Sequence, residues 1–142
     1  MDRIIGIDYG PKRVGLAVSD PLGIFASALD TVSAAKIIGY LQSYISGQSV
    51  SRFVVGFPKN LDNTPSDNAQ RVMGFVNQLH KAFPLIPVSL EDERFTSKMA
   101  FRAMIDGGLK KMQRREKERV DKVSAAYILQ TWMDIYLKPT QS

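Results

Sequence analysis

The chain has 142 residues, of which 44% are hydrophobic and 23% are charged, and its formal net charge is +5. This size and composition fit a single soluble domain over 1–142, and no apolar run approaches the roughly 20 residues that a membrane helix needs. The absence of cysteine excludes disulfides, thiolate metal sites and a cysteine nucleophile. The N-terminus lacks the pattern of a signal peptide, so we expect a cytoplasmic protein without a membrane partner.

The first thirty residues predict an antiparallel meander. Two apolar runs, Ile4 to Ile7 and Val14 to Val18, flank the turn residues Gly10-Pro11, which predicts a β-hairpin. Asp8 ends the first run, where an aspartate is either a turn former or a functional carboxylate. A third strand is expected over Gly23 to Ala28. This part of the chain is therefore predicted to be β throughout.

A helix and a strand should follow the meander. Spacing of three and four residues predicts a helix from the cap Ser33 to Gly47, with an apolar stripe at Ala34, Ile37, Ile38, Leu41, Tyr44 and Ile45. Arg52 to Phe57 is continuously apolar, as strands covered on both faces are, and Pro58 ends it. A strand, a helix and a second strand in this order predict a crossover connection that returns to the same sheet.

A second helix is predicted to open at Thr64-Pro65-Ser66-Asp67, with the stripe Ala69, Val72, Met73, Val76, Leu79 and Phe83. A fifth strand is expected over Leu85 to Asp92, and Thr96 or Ser97 should cap a third helix that runs to Gly107-Gly108. The pattern predicts an α/β fold in which two parallel strands extend the meander into a mixed five-stranded sheet with helices on both faces.

The last part of the chain contains a basic run, Lys110 to Arg119, which is either a mobile loop or the start of the last helix. That helix should run to about Leu137, with an apolar stripe at Ala125, Ile128, Leu129, Trp132 and Tyr136. Extended back by one turn, the stripe reaches Asp121, which is therefore in line with the core-facing residues.

Several acids follow the parallel strands, where ligands bind in α/β sheets. Asp8 ends the first strand, Glu91, Asp92 and Glu93 end the fifth, and Asp121 begins a helix that packs on the same sheet. Carboxylates that converge in a partly buried site repel, so they protonate or bind a cation, and oxygen ligands favour Mg²⁺ or Mn²⁺. Taken singly, such acids are more often a turn former (Asp8), a solvated strand end (Glu91 to Glu93) or an acid favoured near a helix start (Asp121). The sequence therefore permits, without requiring, a two-metal site for phosphodiester hydrolysis.

Four motifs in this order, GIDYGPKRVGLAVSD, VVGFPKNLD, EDERFTSKMA and VDKVSAAYILQ, resemble the YqgF family over nearly the whole chain. Its members are small bacterial RNase H-like proteins described as Holliday junction resolvases and as nucleases that mature precursor 16S ribosomal RNA. The resemblance implies an RNase H-like fold and an endonuclease dependent on Mg²⁺ or Mn²⁺. It also implies that Asp8, Glu93 and Asp121 are the catalytic, metal-binding carboxylates. Strand alternation puts Glu91 and Glu93 on one face, so only the motif prefers Glu93.

The resemblance also implies a nucleic-acid partner, either structured RNA or branched DNA. The side chains expected to meet it are Lys12, Arg13, Lys59, Asn60, Arg94, Lys110, Lys111, Arg114 and Arg115. Phosphate contacts of this kind give salt-sensitive binding with little base readout. A junction resolvase would need a symmetric homodimer, whereas RNA trimming could be done by a monomer.

Two other functions remain open. One is a non-catalytic nucleic-acid-binding or ribosome-assembly factor that has kept the fold, which would bind without metal-dependent cleavage. The other is an actin-like phosphate-binding domain, since such proteins also place an aspartate and a glycine-containing hairpin around phosphates. Those proteins need two such domains, and 142 residues supply one.

Overall fold

The computed structural model describes residues 2–58, 68–92 and 114–137, and for 114–121 it describes the backbone alone. A hairpin of β1 (Arg3–Tyr9) and β2 (Arg13–Ser19) leads to β3 (Ala26–Ser33), and a 3₁₀ turn (Ala34–Lys36) leads into α1 (Ile37–Gly47). The remaining elements are β4 (Val50–Phe57), α2 (Ala69–Ala82), β5 (Val88–Asp92) and α3 (Arg114–Tyr136). Over these ranges, no helix is both long and apolar enough to cross a membrane.

The described strands form one five-stranded sheet in the order β3-β2-β1-β4-β5. β1 pairs with β2 and β2 with β3 in antiparallel fashion, while β4 lies parallel to β1 and β5 parallel to β4. This mixed sheet confirms the predicted fold class. The strands β1, β4 and β5 therefore end at one side of the sheet, which we call the carboxyl edge.

Helices cover both faces of the sheet, and alternate residues of each central strand belong to different cores. Ile5 and Ile7 of β1 pack with α1 and α2, whereas Ile4 packs with α3. β4 alternates in the same way, with Val54 on the α3 face. β4 is therefore buried on both faces, as its continuous apolar run predicted.

The third strand begins later than predicted, at Ala26 rather than Gly23, and ends at Ser33 rather than Ala28. The Asp20 carboxylate accepts hydrogen bonds from the backbone N–H groups of Ile24 (2.7 Å) and Phe25 (3.3 Å). Gly23 has a φ of 70°, in the left-handed region that glycine adopts at low cost. The residues before Ala26 therefore form a turn instead of a strand.

Three other starts also differ from the prediction. β4 begins at Val50 rather than Arg52. α1 begins at Ile37 after the 3₁₀ turn, and the Ser33 side chain makes no capping hydrogen bond. β5 begins at Val88 rather than Leu85, whose side chain is 94% exposed. Pro87 has no N–H group to donate to the ladder, so the strand begins after it.

The predicted apolar stripes need two corrections. In α2, Met73 is 39% exposed, and Phe75 is buried in its place. In α3, Tyr136 is 63% exposed, and Met133 is buried instead. In both helices the buried stripe differs at one position from the predicted pattern, because the side that faces the sheet sets which residues lose contact with water.

Residues 114–119 of the basic run belong to α3, so the helical alternative is right for this part. Residues 110–113, the predicted opening of α2 at 64–67 and the predicted third helix at 96–108 lie outside the described residues.

Candidate functional site

Asp8 lies near the end of the central strand, at the carboxyl edge, and is half-buried. Ile4 packs against α3, and a side chain at Gly6 would meet α3, so alternation puts Asp8 on the α3 face of the sheet. A carboxylate at this position is partly removed from water and stands where α/β proteins bind ligands.

Glycines flank Asp8 on both neighbouring strands. Gly15 of β2 pairs directly with Asp8. On the other side, Ile7 pairs with Val55, so Gly56 of β4 lies at the level of Asp8. Residues at one level of a sheet project to the same face. The two positions directly beside Asp8 on the neighbouring strands therefore carry no side chain.

The backbone of α3 passes very close to β1 at Gly6. A Cβ atom at Gly6 would lie 2.6 Å from the Leu129 Cβ and 2.9 Å from the Ala125 carbonyl oxygen. The Gln130 side chain accepts a hydrogen bond from the N–H of Ala26, at the other end of the sheet (2.8 Å). Residues before Ala125 are therefore those nearer the carboxyl edge.

This packing sets the level of Asp121. Asp121 precedes Ala125 by one turn, about 6 Å along the helix. Asp8 follows Gly6 by two residues, about 7 Å along the strand. The backbone of α3 at Asp121 therefore lies at about the level of Asp8, on the same face of the sheet.

Glu91 of β5 shares that face. Arg52 donates a hydrogen bond from Nη1 to the Ser89 Oγ (2.7 Å), and its guanidinium lies 5.3 Å from the centre of the Trp132 ring of α3. Glu91 follows Ser89 by two residues and pairs with Gly56. Burial raises the pKa of the Glu91 carboxyl above its ordinary value, and the charge of Asp92 raises it further.

The turn between β1 and β2 brings two cations to the same edge. The Gly10 N–H donates to the Arg13 carbonyl oxygen (3.0 Å), and a Cβ at Gly10 would lie 2.8 Å from that oxygen. This tight turn therefore favours glycine. Lys12 is exposed at the turn and Arg13 is half-buried at the start of β2. Their backbones lie at the carboxyl edge, next to the end of the strand that carries Asp8.

The other predicted site residues cannot be placed as side chains. Glu93, Lys59, Asn60, Arg94, Lys110 and Lys111 lie outside the described residues, and Arg114, Arg115 and Asp121 are described by their backbone in α3. Among the side chains that are described, no three acids or histidines form a group that could hold a metal ion. The carboxylate set and the phosphate contacts therefore stay predictions.

Asn68, just before α2, is a residue at this edge that the sequence pattern did not single out. Its Nδ2 donates to the carbonyl oxygen of Tyr9 (3.2 Å), the residue that follows Asp8. The Tyr9 ring stacks on Phe75 with 4.4 Å between the ring centres. The Asn68 Oδ1 is buried without a hydrogen-bond partner among the described residues. No signal in the sequence predicts this contact, because it joins residues 59 positions apart.

The sheet order, the two helical layers and a carboxylate on the central strand define a protein of the RNase H-like class. Thermus thermophilus RuvC in complex with a Holliday junction substrate superposes with a TM-score of 0.51 at 18% identity, covering 94% of this chain and 96% of that one. The fowlpox virus resolvase in its complex with Holliday junction DNA gives a TM-score of 0.59 at 10% identity, covering 96% and 99%. At identities of 18% and 10%, these two superpositions show a shared fold and nothing more specific.

The chain belongs to the RuvX family, whose family model is described as Holliday junction resolvase and matches residues 2–135. This confirms the family that the four motifs resemble. A protein of Christiangramia forsetii is 49% identical over 133 residues, which are 94% of this chain and 98% of that protein. A protein of Phocaeicola vulgatus is 47% identical over 134 residues, or 94% and 96%. Both carry the name "Putative pre-16S rRNA nuclease".

Proposed function

We propose that this protein is a metal-dependent endonuclease that hydrolyses phosphodiester bonds in structured nucleic acid. The observation that carries the proposal is the position of Asp8, half-buried at the end of the central strand and at the level of the Asp121 backbone in α3. Membership of the RuvX family supports the same reaction. A cytoplasmic location fits this function, since nucleic-acid substrates are present there.

Asp8, Glu93 and Asp121 would hold the metal, which is Mg²⁺ or Mn²⁺. These ions prefer oxygen ligands, and all three side chains are carboxylates. The flanking residues Gly15 and Gly56 support the fit, because a Cβ at either would extend into the space beside Asp8. When bound, such ions activate the attacking water and stabilise the leaving oxygen.

Glu93 is proposed as the second carboxylate in preference to Glu91. The family motif selects Glu93, and continued alternation of β5 would put it on the face of Glu91 and Asp8. Glu91 is partly desolvated and lies beside Asp92, so its pKa is raised and its proton is held more tightly than that of an ordinary glutamate. Burial among other carboxylates raises a pKa at a cation site as well as away from one, so the choice of Glu93 rests on the motif alone.

The chain's basic residues bring the substrate to these acids. Lys12 and Arg13 lie at the carboxyl edge and would meet phosphates next to the bond that is cut. Phosphate contacts carry no sequence information, so the substrate would be selected by its shape.

Precursor 16S ribosomal RNA is the substrate that we propose first, and branched DNA is the second candidate. Relatives at 49% and 47% identity, matched over nearly their whole length, are named for the RNA substrate. The family description names the DNA junction. Trimming one RNA strand requires a single active site and hence no symmetric dimer, whereas resolving a junction requires two.

A side-by-side cleavage assay tests the proposal. Purified protein is incubated with precursor 16S ribosomal RNA and with a four-way DNA junction, each with and without Mn²⁺. We expect Mn²⁺-dependent cleavage that Asp8→Asn abolishes, while Asp134→Asn at the other end of α3 retains it. Undiminished cleavage by Asp8→Asn would place the active site elsewhere. Binding without cleavage of either substrate by the wild-type protein would support the non-catalytic assembly factor instead.

A further inference from the structure

A groove of about 670 Å³ lies between β3 and α1, on the face of the sheet opposite α3. Its lining includes Val32, Ser33, Lys36, Gly39, Tyr40 and Ser43. Ser33, Lys36, Gly39 and Ser43 are exposed, so the groove is open to large ligands. None of these residues belongs to the site proposed above.

The groove opens at the carboxyl edge. Ser33 pairs with Arg13, and the Ala34 N–H donates to the Lys12 carbonyl oxygen (2.9 Å). The start of the groove is therefore fixed to the same turn that joins β1 to β2. Only β2 separates β3 from β1, and Ser33 lies two residues past the level of Asp8, so the backbones of the groove mouth and Asp8 are about 12 Å apart. A chain that leaves Asp8 and crosses the turn at Lys12 would enter the groove.

The lining suits a nucleic-acid strand. Lys36 supplies a cation, and Ser33 and Ser43 supply hydroxyls of the kind that contact phosphates and sugars. No aspartate or glutamate is among the described lining residues. Gly39 leaves an open surface, because a Cβ there would meet no atom within 4 Å.

Tyr40 forms an aromatic wall beside these groups. Its hydroxyl is hydrogen-bonded to the Asp30 carboxylate, which also accepts a hydrogen bond from the Thr31 N–H (2.7 Å). Burial, followed by the charge of Asp30, raises the Tyr40 pKa, so the hydroxyl stays protonated. The Asp30 carboxylate is therefore engaged by both the Tyr40 hydroxyl and the Thr31 N–H. Aromatic rings beside cations are the surfaces on which unpaired bases stack.

We propose that this groove binds a single-stranded stretch of nucleic acid that flanks the scissile bond. Phosphates would contact Lys36 and the serine hydroxyls, while a sugar or base would lie against Gly39 and Tyr40. One strand fits better than a duplex, because the groove lies between a single β-strand and a single helix. The proposal rests on the proposed function, since Asp8 defines where the bond is cut.

The test fills the groove without disturbing the fold. Gly39→Leu adds a side chain in open space, and Gly74→Leu makes the same change on α2, where a Cβ also meets nothing within 4 Å. Both variants are assayed on substrates that share a cleavage site but have either a long or a truncated single-stranded flank, in RNA and in DNA. Thermal unfolding checks that both variants fold.

With the long flank, Gly39→Leu should raise KM about tenfold, which corresponds to losing about one stacked base. The truncated substrate should be unaffected, and Gly74→Leu should affect neither. Lys36→Gln should reduce the salt slope of binding by about one for the long flank alone, whereas Lys81→Gln on α2 should not change it. A flank-dependent effect in RNA but not in DNA would also identify the substrate that uses the groove.

Two outcomes distinguish a failure of the groove proposal from a failure of the nuclease proposal. If Asp8→Asn abolishes cleavage while Gly39→Leu behaves like Gly74→Leu on the long substrate, the groove proposal is wrong and the nuclease proposal stands. If Asp8→Asn cleaves normally, the nuclease proposal is wrong. In that case, fluorescence anisotropy with single-stranded oligonucleotides still tests the groove, and equal affinities of Gly39→Leu and Gly74→Leu would overturn it.

Discussion

Replacing Gly6 with alanine should push α3 away from the sheet and lower both stability and cleavage. The new Cβ would lie 2.6 Å from the Leu129 Cβ and 2.9 Å from the Ala125 carbonyl oxygen. Carbon atoms in contact normally lie about 3.5 to 4.0 Å apart, so the helix must retreat by about 1 Å. A smaller residue at 129 gives little relief, because alanine keeps the Cβ and the carbonyl oxygen belongs to the backbone.

The expected cost of this overpacking is about 1 to 3 kcal/mol. For a chain of this length, that lowers the midpoint of thermal unfolding by about 3 to 10 °C. Asp121 lies one turn from Ala125, so a shift of about 1 Å in α3 should also reduce kcat/KM, by roughly a hundredfold. Circular dichroism melts and cleavage assays well below the melting temperature measure the two effects separately.

Gly74→Ala is the matched control for Gly6→Ala. Its Cβ meets no atom within 4 Å, so alanine in this helix should stabilise the protein by about 0.5 to 1 kcal/mol and leave cleavage unchanged. If Gly6→Ala melts at or above the wild-type temperature, α3 does not restrict the side chain at this position. If Gly6→Ala is destabilised as expected but cleaves at the wild-type rate, the position of α3 does not affect catalysis.

Three further predictions concern other parts of the molecule. The raised pKa of Glu91 means that the folded protein binds the Glu91 proton more tightly than the unfolded chain does. The metal-free protein should therefore lose stability as the pH rises from the unfolded pKa of glutamate to the raised value. Glu91→Gln should remove that loss in thermal melts between about pH 4 and 8. Arg52→Met removes the contacts with Ser89 and Trp132, and it should lower the free energy of unfolding, measured with denaturant, by about 1 kcal/mol. These contacts lie away from the carboxyl edge, so kcat should not change. Replacing the basic residues of Lys110 to Arg119 with glutamine should flatten the plot of log binding constant against log salt by about 0.7 to 0.9 per lost phosphate contact, and an unchanged slope would exclude this run from the interface.

The hairpin and its carboxylate were predictable from local signals. Alternating apolar runs and the Gly10-Pro11 turn predict β1 and β2, and the position of Asp8 at the end of a run follows directly. The fold class was predictable for the same reason, because the change of apolar period from strand to helix marks each element. The four motifs then identified the family.

Two predictions from the sequence, the start of β3 and the burial of Met73, were wrong for local reasons. The start of β3 was wrong because the Asp20 side chain bonds two backbone N–H groups and closes a turn that hydrophobicity does not reveal. Met73 was wrong as a core residue because a periodic pattern predicts a stripe but does not fix which residues at its edge face the sheet.

The surroundings of Asp8 depend on strand register, which a single sequence does not reveal. Gly15 and Gly56 lie at the level of Asp8 only because β2 and β4 pair with β1 in the observed register. The contact of Asn68 with the Tyr9 carbonyl likewise requires α2 to begin at the carboxyl edge. The groove between β3 and α1 depends on how two elements pack, so no motif predicts it.

Anomalous diffraction from crystals grown with Mn²⁺ shows directly whether these carboxylates bind metal. We expect manganese at the carboxyl edge, with carboxylate oxygens of Asp8 and Asp121 about 2.1 Å from the metal. Glu93 should complete the set, and the peak should disappear in Asp8→Asn crystals. Manganese bound elsewhere, with the Asp121 carboxylate in solvent, would rule out a metal site formed by these three acids.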